Sequence, residues 1–123
     1  MTSDVKSYKE LLVWQKAVDL VTQIYRVSES FLSSERFGLT SQIRRAAVSI
    51  PSNIAEGQGR GSSGEFRQFL GHARGSVYEL ETQLLIAQRI GLLSGEVHSE
   101  FEERTTELSK MLRGLIASVG NKG

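Results

Sequence analysis

No cysteine occurs in the 123 residues. That excludes a disulfide scaffold, a thiolate metal site and a cysteine nucleophile, and it fits a reducing compartment. Proline occurs once, at Pro51, so little in the chain forces long elements to break. No apolar run reaches membrane-spanning length, and the opening MTSDVKSYKELLVWQK lacks the apolar core of a leader. A cytoplasmic protein without membrane association is expected. Strand-type alternation appears nowhere at useful length. Glu-x-x-His is also missing: neither His72 nor His98 has a carboxylate three residues earlier. The two-metal carboxylate site that bundles often house is therefore not expected, and neither is any other metal or cofactor. No Gly-x-Ser-x-Gly elbow follows a strand, and Glu79 and Glu81 are spaced to point apart on a helix. The chain is not read as an enzyme.

The remaining composition suits one soluble globular domain spanning 1–123, with 39% hydrophobic and 24% charged residues. Apolar steps of three and four mark a first helix over about 11–32, with Trp14, Ala17, Val18, Val21, Ile24, Tyr25 and Phe31 on its face. Serines at 33 and 34 compete for backbone hydrogen bonds and favour a turn there. A second helix, about 36–57, buries Leu39, Ile43, Ala46, Ala47, Ile50 and Ile54. Pro51 falls inside it, yet the apolar and polar stripes keep phase, which predicts one helix kinked at Pro51. Gly57, Gly59, Gly61 and Gly64 are read as its end, and Ser62 with Glu65 as a capping box for the next helix.

The third helix, about 63–90, is the most regular. Phe66, Leu70, Ala73, Val77, Leu80, Leu84 and Ala87 form an unbroken heptad seam. Gly71, Ala73, Gly75 and Ser76 would let another helix approach its first half closely. Gly91 is the expected C-cap and Ser94 the N-cap of a fourth helix, about 95–119. That helix shows Val97, Phe101, Leu108, Leu112, Leu115 and Val119 on one face, with Thr105 where an apolar residue belongs. A frayed tail should follow. Four long helices with short connections predict an all-α fold, an antiparallel up-down-up-down four-helix bundle.

Two features could carry function. The first is charge segregation. Residues 36–75 hold six arginines against Glu56 and Glu65, a balance of +4, whereas residues 76–108 hold seven glutamates against Arg89 and Arg104, a balance of −5. From Arg44 to Arg74 every basic residue is arginine, whose planar fork suits phosphate. Arg44, Arg45, Arg60, Arg67 and Arg74 are the candidate nucleic-acid contacts. Few aromatics interleave with them, so base stacking has little support. The second feature is a stripe of short polar residues beside Pro51. Gln42, Ser49, Asn53 and Glu56 are candidates for an oligomer or inter-helix polar contact, because serine and asparagine are poor choices for a merely solvated helix face. Gly59-Arg60-Gly61-Ser62-Ser63-Gly64 has the G-x-G-x-x-G form, but a helix rather than a strand precedes it, which argues for a plain turn.

These residues carry a family resemblance. Leu12-Val13-Trp14-Gln15-Lys16-Ala17, the block from Gly38 to Gly57 (GLTSQIRRAAVSIPSNIAEG), Gly59-Arg60, Phe69-Leu70, Ala73-Arg74-Gly75-Ser76 and Glu79-Leu80-Glu81-Thr82-Gln83-Leu84 together resemble the four-helix-bundle proteins encoded by intervening sequences of bacterial 23S ribosomal RNA genes. Accessory proteins of diversity-generating retroelements share that fold. The resemblance spans about residues 8–119; Ser33 or Ser34 stands where a proline commonly ends the first loop. It implies a homo-oligomeric ring, a homopentamer, with a non-enzymatic accessory role and a basic surface suited to RNA or DNA. For a retroelement-linked member it also implies a reverse transcriptase partner. The competing expectation is a protein-interaction scaffold with no nucleic-acid role, whose arginines pair with the acidic helices of neighbouring subunits.

Overall fold

Four helices follow one another in the structure, a computed structural model that describes residues 7–35 and 38–122. They are α1 (Leu12–Ser28), α2 (Leu39–Gly59), α3 (Ser63–Arg89) and α4 (Gly95–Lys122), with short 3-10 turns at Tyr8–Glu10 and Ser33–Glu35. Each helix touches two neighbours: α1 meets α2 and α4, and α3 meets α2 and α4, without diagonal contact among the described residues. This is a square, antiparallel, all-α bundle. The expected start of the second helix at 36 lies outside the described residues. No strand occurs among those described.

Local chemistry explains where the ends fall. α1 stops at Ser28, earlier than its apolar pattern suggests. Ser28 Oγ donates to the Tyr25 carbonyl (3.2 Å) and Ser30 Oγ to the Val27 carbonyl (2.9 Å), so hydroxyls take the acceptors that another helical turn would use. At the start of α3, Ser62 Oγ accepts the Glu65 amide (3.2 Å), as expected. The return half of the capping box differs: Glu65 Oε1 accepts the Ser62 hydroxyl (3.1 Å). α3 ends in a Schellman motif. Gly91 sits at φ +84, its amide bonds to the Gln88 carbonyl (3.2 Å), and the Leu92 amide reaches the Ala87 carbonyl (2.9 Å). Ser94 Oγ accepts the Val97 amide (3.1 Å) and starts α4. α4 runs on to Lys122, so the frayed tail expected after 119 is helical instead.

The α3 seam is buried along its whole length, Phe66 being 9% exposed and the other six 2% or less. α2 buries Ile43, Ala46, Ala47, Ile50, Pro51 and Ile54, and it stays helical through the proline. In α1 the inward positions are Val13, Ala17, Leu20 and Ile24. Of the expected α1 face only Ala17 and Ile24 are among them. Tyr25 is 42% exposed, and Trp14 sits half-buried at the margin, edge-on to Tyr8 at 5.2 Å. Thr105 is fully buried in the α4 core stripe and satisfies its hydroxyl by donating to the Glu102 carbonyl (3.1 Å).

Gly57 does not end α2. It lies two residues inside, buried, where a Cβ atom would stand 2.6 Å from Phe69 Cβ and 3.3 Å from Phe66 Cδ1. Its missing side chain brings the backbones of α2 and α3 together. The turn itself belongs to Gly61, at φ +85. Gly71 and Gly75 have the opposite surroundings: nothing lies within 4 Å of a Cβ at either, and both face outward.

Candidate nucleic-acid interface

Arg44 and Arg45 are neighbours in sequence but about 100° apart around α2, and they do different things. Arg44 turns towards α1. Its Nε donates to Ser28 Oγ (2.8 Å), its Nη2 to the Tyr25 carbonyl (3.5 Å), and its guanidinium lies 4.6 Å from the Tyr25 ring centroid. It completes the C-terminus of α1, where a cation also suits the helix dipole. Arg45 is exposed over a groove of about 310 Å³, which it lines with Gln42, Ser49 and Glu79.

Arg60, just beyond α2, is neutralised locally. It pairs with Glu56 at 2.7 Å and Glu65 at 3.8 Å, and lies over the Phe69 ring at 4.9 Å. Arg67 is exposed on α3, and its guanidinium crosses to the last turns of α4: Nη1 lies 2.8 Å from where a Cβ on Gly120 would be. Arg74, two turns further along α3, donates from Nε to the Tyr78 hydroxyl (3.0 Å). Ser109 on α4 donates to the same oxygen (3.3 Å). Arg113, one turn beyond Ser109, approaches it too. These donors pull the Tyr78 phenol down from 10.0 to about 8, through Ser109 first, then Arg74, with Arg113 adding a smaller effect and desolvation opposing.

The short polar residues divide in the same way. Ser49 meets Ser76 of α3 hydroxyl to hydroxyl at 2.8 Å. Asn53 supports it, Nδ2 donating to the Ser49 carbonyl (2.8 Å) and to Ser49 Oγ (2.9 Å). Gln42 and Glu56 are exposed, and Glu56 is taken by Arg60. The stripe is thus a hydrogen-bonded α2–α3 contact in the middle and solvent-facing at its ends.

Antiparallel register converts the linear charge pattern into a spatial one. Arg67 lies beside Gly120, Arg74 beside Arg113, and Tyr78 beside Ser109. Residues 109–123 hold Lys110, Arg113 and Lys122 and no acid, so this part of α4 adds to the basic half of α3. The other half of the same helix pair carries the glutamates. Glu102, Glu103 and Glu107 line an open groove of about 830 Å³ along α4. Among the described residues the ion pairs are Lys16–Glu107, Arg60–Glu56 and Arg60–Glu65. None joins an arginine of 36–75 to a glutamate of 76–108.

A model of the 23S rRNA-intervening sequence protein family matches residues 9–114. The chain belongs to this family. Among solved structures it is similar to a protein of unknown function from the S23 ribosomal protein family of Bacteroides thetaiotaomicron VPI-5482, known from a 1.70 Å crystal structure. The two share 27% identity and a TM-score of 0.79, over 85% of this chain and 98% of that one. No curated protein matches.

Within this intervening-sequence protein, the five arginines chosen from sequence do not form one patch. Arg67 and Arg74 lie along α3 where it borders α4, Arg60 flanks them at the α2–α3 turn, Arg45 faces the α2–α3 groove, and Arg44 is spent on α1. Sequence reasoning missed Tyr78, Ser109 and Arg113. Tyr78 could have been found, since it stands four residues after Arg74 on a helix. Ser109 and Arg113 depend on the α3–α4 register, which no local pattern encodes. Among the described residues no group of three or more metal-ligating side chains forms, and no helix is long and apolar enough to cross a membrane.

Proposed function

We propose that this intervening-sequence protein is a non-enzymatic accessory protein of the cytoplasm. It assembles as a homo-oligomeric ring, a pentamer, and binds RNA or DNA through its basic half. The observation that carries the reading is the set Arg67, Arg74 and Arg113 on adjoining faces of α3 and α4, with no carboxylate within 4 Å among the described residues. Guanidinium groups left without internal acids are available to phosphate. Support for self-assembly comes from the outward side of α3. There Gly71 and Gly75 leave room for another backbone, and Leu85, Ile86 and Ile90 are 38%, 45% and 57% exposed. A cyclic arrangement keeps equivalent ends on one side, so the basic halves of all subunits would act together. Where the gene adjoins a reverse transcriptase, that enzyme is the expected protein partner.

Fluorescence anisotropy with structured RNA tests this, read against salt. Affinity should fall steeply between 50 and 200 mM salt, as counterion release requires, and Arg67→Ala with Arg74→Ala should lower both affinity and salt slope. Absence of salt-sensitive binding at low ionic strength would refute it. Native mass measurement decides the ring.

The charge segregation favours a second reading, a scaffold whose basic half meets the acidic half of a neighbouring copy. In that case reversing charge at Arg67 and Arg74 dissociates the oligomer in light scattering. An intact oligomer that loses only RNA supports the first reading.

A further inference from the structure

The Tyr78 oxygen accepts from two donors, Arg74 Nε on its own helix and Ser109 Oγ on α4. With its oxygen occupied as an acceptor, the phenol keeps its own O–H to donate. No acceptor among the described residues takes that proton. Arg74 uses only Nε here, which leaves four N–H donors, and Arg113, which also approaches the phenol oxygen, adds further N–H groups from α4. Tyr78 is 43% exposed, so its oxygen can be reached from solvent, whereas Ser109 is 6% exposed and fixed. The nearest acids along α3 are directed elsewhere. Glu79 lines the groove with Arg45, and Glu81 lines a separate groove with His98 and Glu102. The cluster is therefore rich in donors, positively charged and without a carboxylate of its own among the described residues.

We propose that Arg74, Arg113 and the Tyr78 hydroxyl form a built phosphate-binding site across α3 and α4, with Ser109 as the positioning residue that holds the phenol. A tetrahedral anion would bridge the two guanidinium groups and accept the phenol proton on a third oxygen. The geometry suits both a phosphodiester of a nucleic-acid strand and free phosphate, which present the same oxygens. The first source rests on the nucleic-acid reading above; the second does not.

The test follows the Tyr78 ring and Arg74 Nε signals by nuclear magnetic resonance near pH 7. Inorganic phosphate and then a ten-residue oligouridylate are titrated at ionic strength matched with chloride. Expected are saturable shifts confined to these residues and Arg113, and a loss of oligonucleotide affinity of roughly tenfold or more in Arg74→Gln with Arg113→Gln. Ser109→Ala should weaken the phosphate response by less, and Tyr78→Phe should weaken it while leaving the helical circular dichroism unchanged. A saturable phosphate response without oligonucleotide binding keeps the anion site and removes the nucleic-acid reading. Salt-sensitive oligonucleotide binding that is undiminished in the double variant, with Tyr78 unmoved, overturns the site and keeps that reading. If neither probe moves Tyr78 and the oligonucleotide does not bind, both fall. A double variant that changes oligomer mass but not the phosphate response makes the cluster a contact between copies, and the proposal fails.

Discussion

Gly57→Ala isolates the closest approach of two helices in this fold. A methyl group at Gly57 would lie 2.6 Å from Phe69 Cβ, 3.3 Å from Phe66 Cδ1 and 3.4 Å from the Phe66 carbonyl oxygen. Comfortable carbon–carbon contact is about 3.5–4.0 Å, so the first separation falls short by roughly 1 Å. Phe69 Cβ is bonded directly to the backbone and cannot swing away, so α2 and α3 must part locally. Overpacking of this kind costs about 1–3 kcal/mol. Against it stands the helix preference of alanine over glycine, about 1 kcal/mol. Gly114 supplies the control. It lies within α4, exposed, with nothing within 4 Å of a Cβ, so Gly114→Ala should collect the propensity gain alone. The gap between the two variants should then be about 1–3 kcal/mol, with Gly57→Ala the less stable. Urea unfolding followed by circular dichroism at 222 nm measures it, with an unchanged m-value showing that stability alone has moved. Equal stability of the two variants would refute the argument that a side-chain-free position sets the α2–α3 spacing.

Three further outcomes follow from the same geometry. Absorbance at 295 nm should show one phenol ionising near pH 8, and that transition should vanish in Tyr78→Phe. Because the folded pKa is lowered, the stabilisation is complete above the unfolded value near 10 and lost as pH falls through about 8; stability should rise between these two pH values in the native chain and not in the variant. Arg44→Met should cost about 1–2 kcal/mol in thermal unfolding, since it strips donors from Ser28 and the α1 terminus, and should leave RNA affinity unchanged. Ser49→Ala should cost about 1 kcal/mol by leaving Ser76 and Asn53 short of a partner, and Ser49→Ala with Ser76→Ala should cost less than the sum of the single changes.

Sequence and structure agree best where one physical demand dominates. The α3 seam had to be apolar at a fixed spacing, so its seven positions could be read directly. The ends of α3 and the start of α4 were legible for a similar reason, since Ser62, Gly91 and Ser94 each answer a local need. α1 was harder. Its bulky aromatics looked like core, but Trp14 and Tyr25 flank the buried stripe, and the smaller Val13 and Leu20 fill it. Gly57 was misread because glycine ends helices and also lets them approach, and only the position of Phe69 separates the two roles. For the arginines, the residue type was informative and the destination was not. Arg44 and Arg45 look alike on paper, yet one caps α1 and the other faces solvent.

The division of α3 and α4 into a basic half and an acidic half gives that helix pair an electric moment along its length. α3 alone, with 27 residues, spans about 40 Å. The backbone contributes little to that moment, because antiparallel neighbours cancel one another's macrodipoles and leave the side chains to set it. On the nucleic-acid reading proposed above, a polyanion would be turned towards the basic end before contact. The field thus chooses orientation and raises the rate of encounter more than it deepens the bound state, and added salt should slow association before it speeds release.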